Sequence, residues 1–149
     1  MIEYKSKLNR ISLVREKTDF QRVRVQNSKH VYDYMMKLWD SDVSIYESMF
    51  ILLLNTSMNT IGYAKISQGG VMGTVVDNKI IMKYALDTLA TSIILAHNHP
   101  SGHILPSNED KKLTYKLQQS CALFDITLQD HLIIASDKYF SFSDEGLIF

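Results

Sequence analysis

Apolar and polar positions recur with two different periods along this chain, and the changes of period mark out its elements. Gln21-Arg22-Val23-Arg24-Val25 alternates with a period of two inside a mixed lead from Leu8 to Val25, which predicts an exposed strand. With Ser28 as N-cap, Val31, Tyr34, Met35 and Leu38 follow helical spacing, and that helix is expected to end near Ser41-Asp42. Ile45 to Asn55 is apolar on both faces, the pattern of a central strand covered from both sides, with Glu47 the odd residue at its mouth. Asn55 to Asn59 reads as a turn and Ile61 to Ser67 as the returning strand. Gln68-Gly69-Gly70 then breaks the pairing before a further short strand over Val71 to Val76. Asp77 or Asn78 caps a second helix with apolar positions Ile81, Met82, Ala85, Leu86 and Leu89. The buried run Ser92-Ile93-Ile94-Leu95-Ala96 leads into His97. A third helix starts near Ser107, with Leu113, Leu117, Cys121 and Phe124 marking its apolar face. Strands over Ile126 to Ala135 and Tyr139 to Phe142 complete the pattern. Strands and helices intermix around one sheet, so the fold class is α/β (or α+β), a mixed central β-sheet flanked by helices.

Composition narrows the setting. A chain of 149 residues with 46% hydrophobic and 21% charged positions has the size and balance of one ordinary globular domain. The expected organisation is a single domain over 1–149, with a strand and helix lead over 1–44 and a core over 45–143. Cys121 is the only cysteine, which excludes an intramolecular disulfide and a cysteine-rich metal site. No apolar run has the length of a membrane span, and the N-terminus lacks the apolar stretch of a signal peptide, so a cytoplasmic location is expected. Net charge is zero, yet residues 1–30 carry eight Lys/Arg against three Asp/Glu. That lead can meet a polyanion such as DNA, or simply form a solvated edge.

The candidate chemistry lies between the buried run and the third helix. His97 and His99, two apart at a strand end, project to the same side. A loop containing Pro100, Gly102 and Pro106 returns the chain to a helix start, where Asp110 can fold back towards them. Two imidazoles and a carboxylate are a familiar three-ligand set for a catalytic zinc, one ion per chain, whose remaining position is left to water. Hydrolysis at such a site also needs a base that is not itself a ligand and not fully solvated, and Glu47 fits. Ser107 can hold the attacking water or support the oxyanion. Each residue also has a plainer reading. Ser107 with Asp110 makes a serviceable capping box, and Glu47 alone can be a satisfied structural carboxylate. Of the remaining groups, Asp130-His131 sits inside an apolar strand and can serve as a second contact behind the ligands or as a structural pair. His103 and His30 read as surface residues, and Cys121 as a small hydrophobe.

The run His97-x-His99, seven residues, then Ser107-x-x-Asp110, with Glu47 upstream, resembles the JAMM motif of the MPN+ metalloprotease superfamily. His97-Asn98-His99-Pro100-Ser101-Gly102, Pro106-Ser107 and Asp130-His131-Leu132-Ile133-Ile134 together are similar to the RadC family. The resemblance covers roughly Glu47 to Ser143. It implies a JAMM/MPN+ domain related in architecture to cytidine deaminases, with His97, His99 and Asp110 as zinc ligands, Glu47 as acid and base, and Ser107 as transition-state support. It also implies peptide or isopeptide hydrolysis of a peptide or protein substrate, under a DNA-repair family label. Two departures bear on DNA. The residues before the Glu47 strand are expected to be too few for the helix-hairpin-helix region typical of RadC proteins, and Val76-Asp77-Asn78-Lys79 replaces a Pro-Arg-Glu-like sequence. The competing reading is a DNA-associated binding module with a structural or vestigial metal, resting on the basic lead with Arg22 and Arg24. A nuclease is disfavoured because the contiguous His-Asn-His triplet is a coincidence of letters, and a base deaminase because its site needs two cysteines. Substrate identity and oligomeric state depend on surface shape, which residue identities do not specify.

Overall fold

The long apolar runs of this chain become the middle of a five-stranded sheet. The computed structural model describes residues 19, 21–39, 41–70 and 75–148. In chain order the elements are α1 (Ser28–Leu38), β1 (Ser48–Leu54), β2 (Thr60–Gln68), α2 (Asn78–Asp87), β3 (Ser92–Asn98), α3 (Asn108–Ala122), β4 (Thr127–Ile134) and β5 (Tyr139–Ser141). The strands lie in the order β2-β1-β3-β4-β5. All neighbours are antiparallel except β3 and β4, which run parallel with α3 as the crossover between them. This is the expected mixed sheet flanked by helices. No helix among the described residues is long and apolar enough to cross a membrane.

Both faces of the sheet are covered, which explains why β1 and β3 are apolar throughout. Met49, Ile51 and Leu53 of β1 join Ile93 and Leu95 of β3 beneath α2 and α3, where Ile81, Met82, Ala85, Leu117 and Cys121 meet them. Phe50, Leu52 and Leu54 point the other way with Ile94 and Ala96, packing on Val31, Tyr34, Met35 and Leu38 of α1. The period of two thus sorts one apolar strand into two cores.

Several expectations shift. The α1 cap is Asn27, not Ser28: its side chain accepts the His30 N–H at 2.8 Å, and Ser28 is the first helical residue. The helix stops at Leu38, short of Ser41-Asp42, because Trp39 turns extended and buries its indole against Phe50, ring centroids 4.5 Å apart. The strand expected over Gln21–Val25 reduces to an isolated bridge between Arg24 and Asn59. Most of the mixed lead before it, and most of the strand expected over Val71–Val76, lie outside the described residues; Val75 and Val76 are not in a strand. Asp77 caps α2 as expected, but Leu86 and Leu89 leave the core. Leu89 follows the helix in the left-handed region (φ 53°) with its side chain 78% exposed. The buried face of α3 is Asp110, Thr114, Leu117 and Cys121, while Leu113 is half-buried and Phe124, past the helix end, is 54% exposed.

Candidate metal centre

The residues singled out for chemistry meet where β3 ends, on the side of the sheet that carries α3. His97 is fully buried in the last part of β3, and His99 follows just beyond the strand. Their Nε2 atoms lie 2.9 Å apart. The loop after His99 is short and sharply turned. Gly102, at φ 82°, donates its N–H to the His99 carbonyl at 3.0 Å, a left-handed turn that a side chain would strain. That turn brings the His103 carbonyl 2.6 Å from Nδ1 of His99. A carbonyl only accepts, so Nδ1 of His99 holds a hydrogen, and Nε2 is the nitrogen turned towards the centre. His103 contributes through its backbone; its side chain is exposed, as expected.

Asp110 arrives from the opposite direction, on the first turn of α3. Ser107 is the N-cap and closes a full capping box: its hydroxyl accepts from the Asp110 N–H at 3.1 Å, and Asp110 Oδ2 accepts from the Ser107 N–H at 2.7 Å. The Ser107 hydroxyl also donates to Oδ2 at 2.7 Å. Two donors on Oδ2 aim the carboxylate, and Oδ1 lies 3.2 Å from His97 Nε2 while Oδ2 lies 3.6 Å from His99 Nε2. Burial opposes the Asp110 charge, but contacts with His97, His99 and Ser107 outweigh it and hold the carboxyl well below the usual carboxylate range. The nearby Asp110 carboxylate is the main reason that His99 is raised above the ordinary histidine value.

Glu47 sits just before β1, half-buried, and not within the strand as the apolar run suggests. Its N–H donates to the Gly70 carbonyl at 3.4 Å, and its carbonyl accepts from Gly69 at 2.8 Å. Glu47, His97 and His99 each present a ligand atom within 4.8 Å of the others, a group that could hold a metal ion. Two carboxylates therefore flank one pair of imidazoles.

The donor set fits a divalent cation. Zinc–nitrogen bonds are about 2.0–2.1 Å, so nitrogens this close can reach one ion, and a carboxylate oxygen stands beside them. Zinc accepts this mixture of imidazole and carboxylate.

Two further residues complete the surroundings. Asn98, unremarked between the histidines, is fully buried on the opposite face of β3. Its Oδ1 accepts from the Ser48 N–H at 2.7 Å, and its Nδ2 donates to the carbonyls of Val43 and, at 2.8 Å, Tyr46. It thus ties down the chain on both sides of Glu47. The only sequence signal for it was a fully polar amide inside a buried run. Asp130-His131 divides its duties. Asp130 holds the corner after β5 through Ser141 Oγ (2.6 Å) and the Ser143 N–H (3.0 Å), with burial pushing its carboxyl up. His131 instead lies behind His97, its Nε2 2.7 Å from His97 Nδ1.

A family model described as the RadC-like JAB domain matches residues 25–147. Similar proteins, each called a UPF0758 protein, occur in several bacteria. The one from Flavobacterium johnsoniae is 44% identical over 102 residues, covering 68% of this chain and 44% of its own. That from Porphyromonas gingivalis is 50% identical over 103 residues, covering 68% and 45%. That from Streptococcus gordonii is 31% identical over 144 residues, covering 97% and 63%. The chain spans about half the length of the first of these curated relatives.

Proposed function

The chain belongs to the RadC-like JAB domain family, and we propose that it is a zinc-dependent hydrolase of the JAMM metallopeptidase type, cleaving a peptide or isopeptide bond. The observation that carries this reading is the convergence of two imidazole nitrogens with one anchored carboxylate, while a second carboxylate faces them from a different element. Asp110 is assigned as third ligand because the capping box fixes its carboxylate. Glu47, which comes from a different element and is half-buried, is assigned as the base. The cytidine-deaminase-like architecture belongs to the same proposal, supported by helices on both sheet faces and by histidines at the end of a central strand.

A zinc ion held by His97, His99 and Asp110 would supply Lewis acidity, polarising a carbonyl and bringing the pKa of a water towards neutrality. Glu47 takes the proton of that water as its oxygen adds to the carbonyl carbon. It then gives the same proton to the amine nitrogen as the carbon–nitrogen bond breaks. Ser107 supports the oxyanion by turning its one hydroxyl proton away from Asp110 Oδ2.

Glu47→Gln separates the two carboxylate roles. Zinc content measured by elemental analysis is expected to stay near one per chain, whereas cleavage in a panel of peptide and isopeptide substrates falls by at least about 100-fold. Asp110→Asn, or His97→Ala with His99→Ala, is expected to lose the metal. Full activity in Glu47→Gln, or zinc retained by the histidine variant, overturns the assignment.

A further inference from the structure

Behind His97 a chain of hydrogen bonds has a readable direction. The Thr114 hydroxyl lies 2.7 Å from the backbone carbonyl of Asp110, one turn earlier in α3. The carbonyl has no hydrogen to give, so Thr114 donates its single proton there. Thr114 Oγ1 also lies 2.6 Å from Nδ1 of His131 and can offer that nitrogen only a lone pair. The hydrogen in this second bond therefore belongs to His131 Nδ1. His131 is fully buried, with neither ring nitrogen bonded to a carboxylate, and it stacks on Phe142 at 4.7 Å with the planes 13° apart. Such a ring is neutral, which leaves Nε2 as an acceptor. Nε2 stands 2.7 Å from Nδ1 of His97, so the shared hydrogen is on His97 Nδ1. The opposite direction would set two hydroxyl and carbonyl lone pairs against each other at Thr114 and Asp110.

We propose that His131, oriented by Thr114, is a positioning residue that holds the hydrogen of His97 on Nδ1 and so turns the Nε2 lone pair towards the metal position. His99 obtains the same orientation from the His103 carbonyl. The relay gives Asp110 a double part: its carboxylate enters the centre, while its carbonyl sets the direction of the bonds that orient His97. Partners of this kind are worth about 10–100-fold in metal affinity. The metal consequence rests on the zinc reading above; the hydrogen position on His97 does not.

The test uses the full chain with ¹⁵N-labelled histidine, read by long-range proton–nitrogen correlation on metal-free protein, and zinc affinity by chelator competition. Wild type is expected to show a protonated His97 Nδ1 hydrogen-bonded to nitrogen. His131→Gln keeps an acceptor for His97 and is expected to bind zinc within about 3-fold of wild type. His131→Phe keeps a ring against Phe142 without the acceptor and is expected to lose about 10–100-fold. Thr114→Val removes the hydroxyl at nearly constant shape and is expected to disturb the His97 signal and weaken zinc binding in the same direction. Circular dichroism confirms which variants fold. A bare His97 Nδ1 in wild type, or zinc affinity unchanged in folded His131→Phe and Thr114→Val, overturns the proposal. A wild type that binds no zinc yet shows the His97 Nδ1 hydrogen overturns the zinc reading and upholds the relay.

Discussion

At the scale of single residues, environment separates side chains that look alike in the sequence. Cys121 lies fully buried on α3, its Sγ 3.9 Å from the Met82 sulfur, and burial pushes its thiol up to about 11. Because only the thiolate reacts, iodoacetamide at about pH 8 is expected to label the native protein at least about 100-fold more slowly than the urea-unfolded chain. Equal rates, followed by mass spectrometry, would show that α3 opens readily. Asp130 and His131 are adjacent in sequence, yet one closes a corner and the other touches His97. His97, His99, Ser107 and Asp110 were legible as a group because their spacing follows from strand and helix geometry. Thr114 and Asn98 were not, since a threonine in a helix and an asparagine in a strand have common local uses, and only their cross-chain partners give them another.

At the scale of elements, an unbroken apolar run was the clearest signal, because a strand with two covered faces has no polar side to blur it. Leu95, fully buried in β3, is expected to cost about 2–5 kcal/mol when changed to Ala, while exposed Leu89→Ala is expected to stay within about 0.5 kcal/mol. Urea unfolding with constant slope checks both, and a small effect at Leu95 would mean that the core closes over the cavity. The apolar face of α1 is the expected one, whereas those of α2 and α3 match the expected stripes only in part. Leu113 and Phe124 mark a plausible stripe on α3, but the helix turns to bury Asp110 and Thr114, because the centre recruits polar residues into the interior. The capping box makes that possible: it fixes the first turn and the Asp110 carboxylate together.

At the scale of the whole molecule, the buried imidazoles tie stability to pH. Burial, with His97 beside it, holds His131 well below 6.5 in the fold, while the unfolded chain protonates it near that value. As pH falls through 6.5 the unfolded state takes up more protons, so the fold loses stability. His99, raised in the fold, adds stability that is already complete below 6.5, and the depressed Asp110 loses its contribution only below 3.8. The metal-free protein is therefore expected to lose up to about 1.4 kcal/mol per pH unit between about pH 6.5 and 5, with a shallower decline in His131→Gln. Urea midpoints across that range check it, and a flat wild-type profile would contradict the buried neutral ring. The sequence by itself determined the elements that hydrophobic period and turn chemistry specify, and the local constellation around β3 and the start of α3. Only tertiary structure decided the partners across the sheet. Strict alternation along β4 puts Leu128 and His131 on opposite faces, but a register irregularity opposite Ile93 and Ile94 brings both to the α3 side. A bulge adds one residue to one strand against its neighbour, so its position is set by the pairing and not by the residues of either strand alone. Without it, His131 would face α1 and His97 would lack its acceptor.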